Sequence, residues 1–219
     1  MNAIHLSIVE AAVPLDKALR GLFDELGISH DVEIELTRAI NGKPKLDISS
    51  HPAIGFSRSH ARIAGGEISA MALVECRDVG IDIEAWPAQK AEASFLETVA
   101  SPEDGKALST LAAGGRDAGV ALWVIKEAAL KCTGEVMTDP RNLDVSKTHK
   151  GLFAVTTSMC ARAPHPDIDV RLFILESEHA LNQTLLVGIA LAKGAHMTNR
   201  ELRKIQFQNS IWSLSELLD

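Results

Sequence analysis

Val79-Gly80-Ile81-Asp82-Ile83-Glu84 is the stretch on which the reading of the whole chain turns. Apolar β-branched residues alternate with charged ones along it, the period of a strand. Residues i and i+2 of a strand share a face. Asp82 and Glu84 therefore point one way, and Ile81 and Ile83 point into a core. Two carboxylates about 7 Å apart along the backbone are able to converge on one hard cation. Such a cation offsets a repulsion that otherwise raises one of their pKa values. On its own, the pair reads as well as a solvated strand face.

A second charged stretch, Trp123 to Lys131, is built to meet the first. Trp123, Glu127 and Lys131 are spaced i, i+4, i+8 and share one helix face, with Lys126 beside it. Alone, this is an exposed i,i+4 pair worth roughly 0.2–0.5 kcal/mol.

Around these stretches the sequence predicts alternating local structure. Strands are expected at Ile4–Val9, Val32–Leu36 and, after Pro52, Ala53–Ser57. A helix is expected from Pro14 to Leu26, with Leu15, Leu19, Leu22 and Phe23 on one side and Gly27 as its stop. Asn41-Gly42-Lys43-Pro44 is a turn signal, and Ser57-Arg58-Ser59-His60 is expected to turn as well. Past Gly65-Gly66 a firm strand, Ile68–Glu75, is expected to return through Arg77-Asp78 as a tight antiparallel link to the carboxylate strand.

Beyond Trp86-Pro87 the pattern becomes helical. Ala88–Ala100 is a helix candidate. Ser101-Pro102-Glu103-Asp104 carries a cap, a first-turn Pro and an acid at the third position, which start the next helix. Gly114-Gly115 is a break without the context of a phosphate loop. The helix Val120–Cys132 ends at Gly134, and Pro140–Asp144 reads as a loop. Three strands follow, at Leu152–Thr157, Val170–Leu175 and Thr184–Leu191, with a polar loop around Pro164 and Pro166 between the first two.

The expected class is α+β, in two similar lobes, each with helices against a mainly antiparallel sheet. The lobes span residues 1–86 and 87–196 and meet near 85–90. Residues 197–219 read as a helical extension docked by Ile205, Phe207, Ile211, Trp212, Leu214 and Leu217.

The chain has 219 residues, enough for one large domain or two small ones sharing a core. Its formal charge of −7 argues against general binding to nucleic acid or anionic membrane. Mean hydropathy is +0.07, which points to a soluble globular protein. Tyr is absent and aromatics are 4%, so the core must rest on Ala, Leu, Ile and Val. Cys76, Cys132 and Cys160 lack metal-ligand spacing and read as reduced thiols in a cytoplasmic setting. Glu10 and Asp16 interrupt any signal peptide, and no apolar run is long enough to span a bilayer. His51, His149, His165 and His179 have no ligand spacing, Trp86 reads as packing and Trp212 as an anchor for the extension.

Taken together, the two charged stretches resemble the paired signatures of the Sfp-type 4'-phosphopantetheinyl transferases. Those signatures are a Gly-Ile-Asp-Ile-Glu run and, later, Trp-x-x-Lys-Glu-Ala-x-x-Lys. Here they are Gly80–Glu84 and Trp123-Val124-Ile125-Lys126-Glu127-Ala128-Ala129-Leu130-Lys131. Gly42-Lys43-Pro44 is similar to an upstream element of the family, and Phe56-Ser57-Arg58-Ser59-His60 is similar to its Phe-Asn-x-Ser-His-Ser. Phe95 with Glu103 loosely resembles the variable middle region. The likeness covers roughly residues 40 to 190. Ser57 replaces the usual Asn, Ala61 replaces the Ser after the His, and Arg58 is an unusual charge at its position. Lys17 and Arg20 are the early basic candidates for contact with the 3'-phosphate.

The resemblance implies a Mg²⁺-dependent enzyme. It would move 4'-phosphopantetheine from coenzyme A to a serine of an acyl or peptidyl carrier protein and release 3',5'-ADP. Asp82, Glu84 and Glu127 would hold Mg²⁺ with the pyrophosphate of coenzyme A. Glu127 would also take the proton of the attacking serine, and Lys131 would steady the transferred phosphate. Lys126, Ser59 and His60 would lie near coenzyme A phosphates, and Gly42, Lys43 and Pro44 against the adenine end. The residue types suit the chemistry: Mg²⁺ takes oxygen ligands, and phosphoryl transfer depends on positioning and charge neutralisation. A monomer is implied, since two lobes form internally what shorter relatives form between subunits. A non-catalytic carrier-protein binder and a metal-dependent phosphohydrolase or nuclease are the other readings. The acidic total speaks against nucleic acid.

Overall fold

The computed structural model describes residues 4–10, 12–29, 31–38, 43–49, 53–63, 66–75, 77–86, 93–113, 117–135, 139–149, 152–157, 168–177, 184–192 and 212–216. Two antiparallel sheets form its middle. The first contains β1 (Ile4–Glu10), β2 (Ile34–Arg38), β3 (Pro44–Ile48), β4 (Ile54–Ile63) and β5 (Gly66–Glu75), in the order β1-β5-β4-β3-β2. The second contains β6 (Val79–Ala85), β7 (Leu143–His149), β8 (Leu152–Thr157), β9 (Ile168–Ser177) and β10 (Thr184–Ala192), in the order β6-β10-β9-β8-β7. A further strand, β11 (Trp212–Glu216), pairs with β9 beyond the end of β8.

Three apolar clusters stack these sheets into layers. Helix α1 (Leu15–Leu26) covers the outer face of the first sheet, burying Leu19, Leu22 and Phe23 against Phe56, Met71 and Leu73. The inner faces of the two sheets meet through Leu6, Ile8, Ala70 and Ala72 on one side and Ile81, Ile83, Val187 and Ile189 on the other. The outer face of the second sheet is covered by α4 (Ala118–Thr133), with α2 (Ala93–Val99) and α3 (Gly105–Ala113) packed against it. The result is two pseudo-symmetric α+β lobes, each a mainly antiparallel sheet with helices on its outer face.

The helix ends follow their residues. Gly27 and Gly134 adopt left-handed φ values of 66° and 76°, which an L side chain resists, and so close α1 and α4. The Asp117 carboxylate caps α4 by accepting from Gly119 N at 2.8 Å and Val120 N at 3.1 Å.

Several expectations are corrected. Residues 57–60 make no turn, because β4 runs straight through them and pairs with β5 from Ile54 to Ile63. Arg77-Asp78 is not a hairpin return: β5 stays in the first sheet while β6 crosses to pair with β10 in the second. A division at residue 86 therefore leaves β6 on the far side of its hydrogen-bonded sheet. Leu143–His149 is an edge strand, not the tail of a loop. Residues 212–216 form a strand where a helix was expected. The rest of the expected extension lies outside the described residues, as do Gly42, Cys76, Cys160, His51, His165, His179 and residues 87–92.

Candidate active site

The carboxylate strand and α4 face each other at close range. Gly80 permits this. A Cβ there would stand 1.9 Å from Ala128 O and 2.5 Å from Cys132 N, inside the backbone of α4. Gly188, opposite Asp82 on β10, has the same role toward Val124. Strand alternation sends Ile81 and Ile83 between the sheets and turns Asp82 and Glu84 toward α4.

Asp82 is 3% exposed. Its Oδ1 accepts from Lys131 Nζ at 2.6 Å and from Ser59 Oγ at 2.8 Å. Lys131 Nζ also donates to Ser59 Oγ at 2.9 Å and stands 3.9 Å from Glu127 Oε2. Ser59 thus joins the site from the first lobe, across the line where β4 and β6 run side by side. On the same line Ile81 N donates to Ser57 Oγ at 3.0 Å, a contact that sequence reasoning did not find.

All three carboxyls are held above their ordinary range. Burial is the largest cause for each. For Asp82, Lys131 and Ser59 oppose the rise. Glu84 is pushed up to about 7 by burial and then by the Asp82 charge, while Lys131 and the hydrogen-bonding Trp123 indole pull it back. Glu127 rises through burial and Asp82, again against Lys131. The three acids therefore lie within each other's electrostatic reach, with one ammonium among them.

Among the described residues, no three His, Cys, Asp or Glu side chains are arranged to hold a metal ion. The donor set still suits a hard cation. It is oxygen-only, its members repel one another, and Asp82 Oδ2 is buried with no hydrogen-bond partner among the described residues. In this arrangement Lys131 supplies the positive charge.

The expectation that Lys126 lies near substrate phosphates is not met. Successive residues of a helix are about 100° apart around its axis, so Lys126 cannot share the face of Glu127. It is 0% exposed, and its ammonium donates to Val99 O at 2.9 Å, Asp104 Oδ2 at 2.7 Å and Pro140 O at 3.0 Å. Asp104, the acid expected only to start a helix, proves to be its counter-ion. It also accepts from Ser101 N at 2.7 Å and Val145 N at 2.7 Å. Trp86 is buried in the second-lobe core, its indole donating to Asp117 O at 2.9 Å.

Lys43 and Pro44 line a cavity of about 400 Å³ with Phe56, Arg77 and Thr133, at the C-terminal end of α4. Lys43 Nζ donates to Asp78 Oδ1 at 2.9 Å and to Cys132 O at 2.6 Å, tying the two lobes together. A larger cavity, about 1010 Å³, lies between α3 and β7 and includes none of the expected site residues. His60 is exposed, 3.9 Å from Glu67. Burial and the nearby Arg58 lower its pKa. Cys132 is a free buried thiol pushed up to about 12 by burial, which leaves it inert at neutral pH.

Residues 78–183 match the model of the 4'-phosphopantetheinyl transferase superfamily. The matched span is just under half of the chain. The span contains both charged stretches, and so Asp82, Glu84, Glu127 and Lys131; Lys43, Ser59 and His60 lie outside it. No curated protein matches the chain. No helix among the described residues is long and apolar enough to cross a membrane.

Proposed function

We propose that the chain is an Sfp-type transferase. It moves 4'-phosphopantetheine from coenzyme A to a serine of an acyl or peptidyl carrier protein and acts as a cytoplasmic monomer. The observation that carries this reading is the superfamily match over both charged stretches, together with the meeting of those stretches around Asp82.

Asp82, Glu84 and Glu127 would hold Mg²⁺, and Asp82 Oδ2, which has no hydrogen-bond partner among the described residues, is available to it. When bound, the metal offsets phosphate charge and the mutual repulsion of the carboxylates. The chain's own groups do the rest. Glu127, with its raised pKa, suits a general base, since a weakly basic carboxylate accepts a proton poorly. It takes the serine proton as the serine oxygen bonds to the β-phosphorus of coenzyme A. The bond from that phosphorus to the bridging oxygen breaks, and 3',5'-ADP leaves. Lys131, paired with Asp82 in the metal-free site, would steady the transferred phosphate, exchanging one anion for another. Lys43 and Pro44 would flank the adenine end in the 400 Å³ cavity that they line.

Incubation with coenzyme A, Mg²⁺ and several unmodified carriers tests the proposal by intact mass. A phosphopantetheine-sized gain is expected, lost without Mg²⁺ and in Asp82→Ala. A folded protein that modifies no carrier, or an Asp82→Ala variant of normal activity, defeats it. Carrier binding without transfer would instead identify a non-catalytic binder.

A further inference from the structure

Helix α4 ends at the seam between the lobes, and its last turn is held from the other lobe. Lys43, the residue just before β3, donates from Nζ to Cys132 O at 2.6 Å and to Asp78 Oδ1 at 2.9 Å. Its side chain is 12% exposed, so the ammonium is drawn into the seam. Cys132 Sγ reaches back to Asp78 O at 3.6 Å. The start of β3, the approach to β6 and the end of α4 thus meet at one ammonium.

The last carbonyls of a helix have no partner inside it, and a cation beside them is favoured by the helix dipole. The basic side chain of that turn in α4 is Lys131, and it is drawn away to Asp82. Gly134 N and Glu135 N both donate to Leu130 O, and Lys43 takes Cys132 O. The first lobe therefore supplies the cation for the helix end. That end is next to the reacting groups: Lys131 precedes Cys132 by one residue, and Glu127 stands about one turn before Lys131. The same turn lies on Gly80, two residues before Asp82, with Ala128 O and Cys132 N nearest to where a Cβ would stand.

We propose that Lys43 is a positioning residue. By gripping Cys132 O it seats the last turn of α4 on Gly80, and so sets where Glu127 and Lys131 stand relative to Asp82. The inference deepens the transferase reading and rests on it. Lys43 also lines the 400 Å³ cavity. A ligand there would meet its stem and Pro44, while the ammonium acts on the reaction through α4.

Two measurements on the full chain test this, using Lys43→Met, which keeps the stem, and Lys43→Arg, which keeps the charge and the N–H donors. Amide hydrogen exchange without ligand reads the grip. In Lys43→Met the Gly134 and Glu135 amides should exchange about tenfold faster, while Gly27 and Ile28, which close α1 in a similar way, should be unchanged. Carrier-modification kinetics read the positioning. Lys43→Met should lower kcat about tenfold and leave KM for coenzyme A within about threefold, and Lys43→Arg should recover most of the loss. A raised KM with unchanged kcat makes Lys43 a ligand contact and overturns the proposal. So does unchanged exchange at Gly134 and Glu135, a rise shared equally by Gly27 and Ile28, or faster exchange with normal kinetics. In each of these cases the transferase reading stands, whereas a wild-type protein that modifies no carrier overturns both.

Discussion

Replacing Asp104 with Ala is the sharpest test of how the site is held. Asp104 and Lys126 are each 0% exposed and meet at 2.7 Å, and the carboxylate accepts two backbone N–H groups besides. The pair joins α4 to the turns at 101–104 and 140–142 and to β7. Burial pulls the Lys126 ammonium below its usual range, and the carboxylate holds it up. Removing one partner of a buried pair costs about 3–5 kcal/mol, because the other charge is left uncompensated. Here Ser101 N and Val145 N also lose their acceptor, which places the loss at the upper end. Total stabilities run about 5–15 kcal/mol, so Asp104→Ala should approach unfolding of the second lobe. Urea titration followed by tryptophan fluorescence measures it, since Trp86 and Trp123 sit in or against that lobe's core. Lys126→Met/Asp104→Asn, which removes both charges, should cost clearly less than the sum of the single changes. A double variant additive to within about 0.5 kcal/mol, or an Asp104→Ala variant of wild-type stability, would show the buried pair to be dispensable and refute the reasoning.

Other expected outcomes concern the site. Gly80→Ala forces a Cβ into the α4 backbone, and backbone cannot move aside as a side chain can. A loss of at least the 1–3 kcal/mol typical of overpacking is expected in thermal melts, and an unchanged melt would put the clash in doubt. Glu84, with a pKa near 7, binds an extra proton in the folded state. Its ordinary value is 4.5, so metal-free stability should fall as pH rises from 4.5 to about 7. Because Mg²⁺ competes with that proton, its affinity should rise by about tenfold between pH 6 and pH 8. The dependence should shrink in Glu84→Gln, and a flat wild-type profile counts against Glu84 as a ligand. Lys131→Met removes the cation from Asp82 and should slow transfer by about 10²-fold in the carrier assay, whereas unchanged turnover removes Lys131 from the mechanism.

The charged motifs were legible because each depends on a short period. Alternation from Val79 to Glu84 set which side chains share a face, and i, i+4, i+8 spacing aligned Trp123, Glu127 and Lys131. Caps at Gly27 and Gly134 were legible for the same reason, since a φ of 66° or 76° is a local demand. The reading failed where polar residues in 57–60 suggested a turn. In the structure those serines serve a neighbouring strand, Ser57 accepting from Ile81 N and Ser59 donating to Asp82. No local pattern announces a partner that many residues away.

Two α+β lobes, an acidic strand and a helix to face it follow from the order of residues alone, because periodicity and capping are properties of adjacent positions. Tertiary structure decided that β6 leaves the lobe of its neighbours for the second sheet, that Lys126 turns to Asp104 instead of the site, and that Lys131 rests on Asp82. Those outcomes depend on which buried charges find partners across distant segments. Burial raises the cost of an unpaired charge far above any local preference, so only the packed chain settles them.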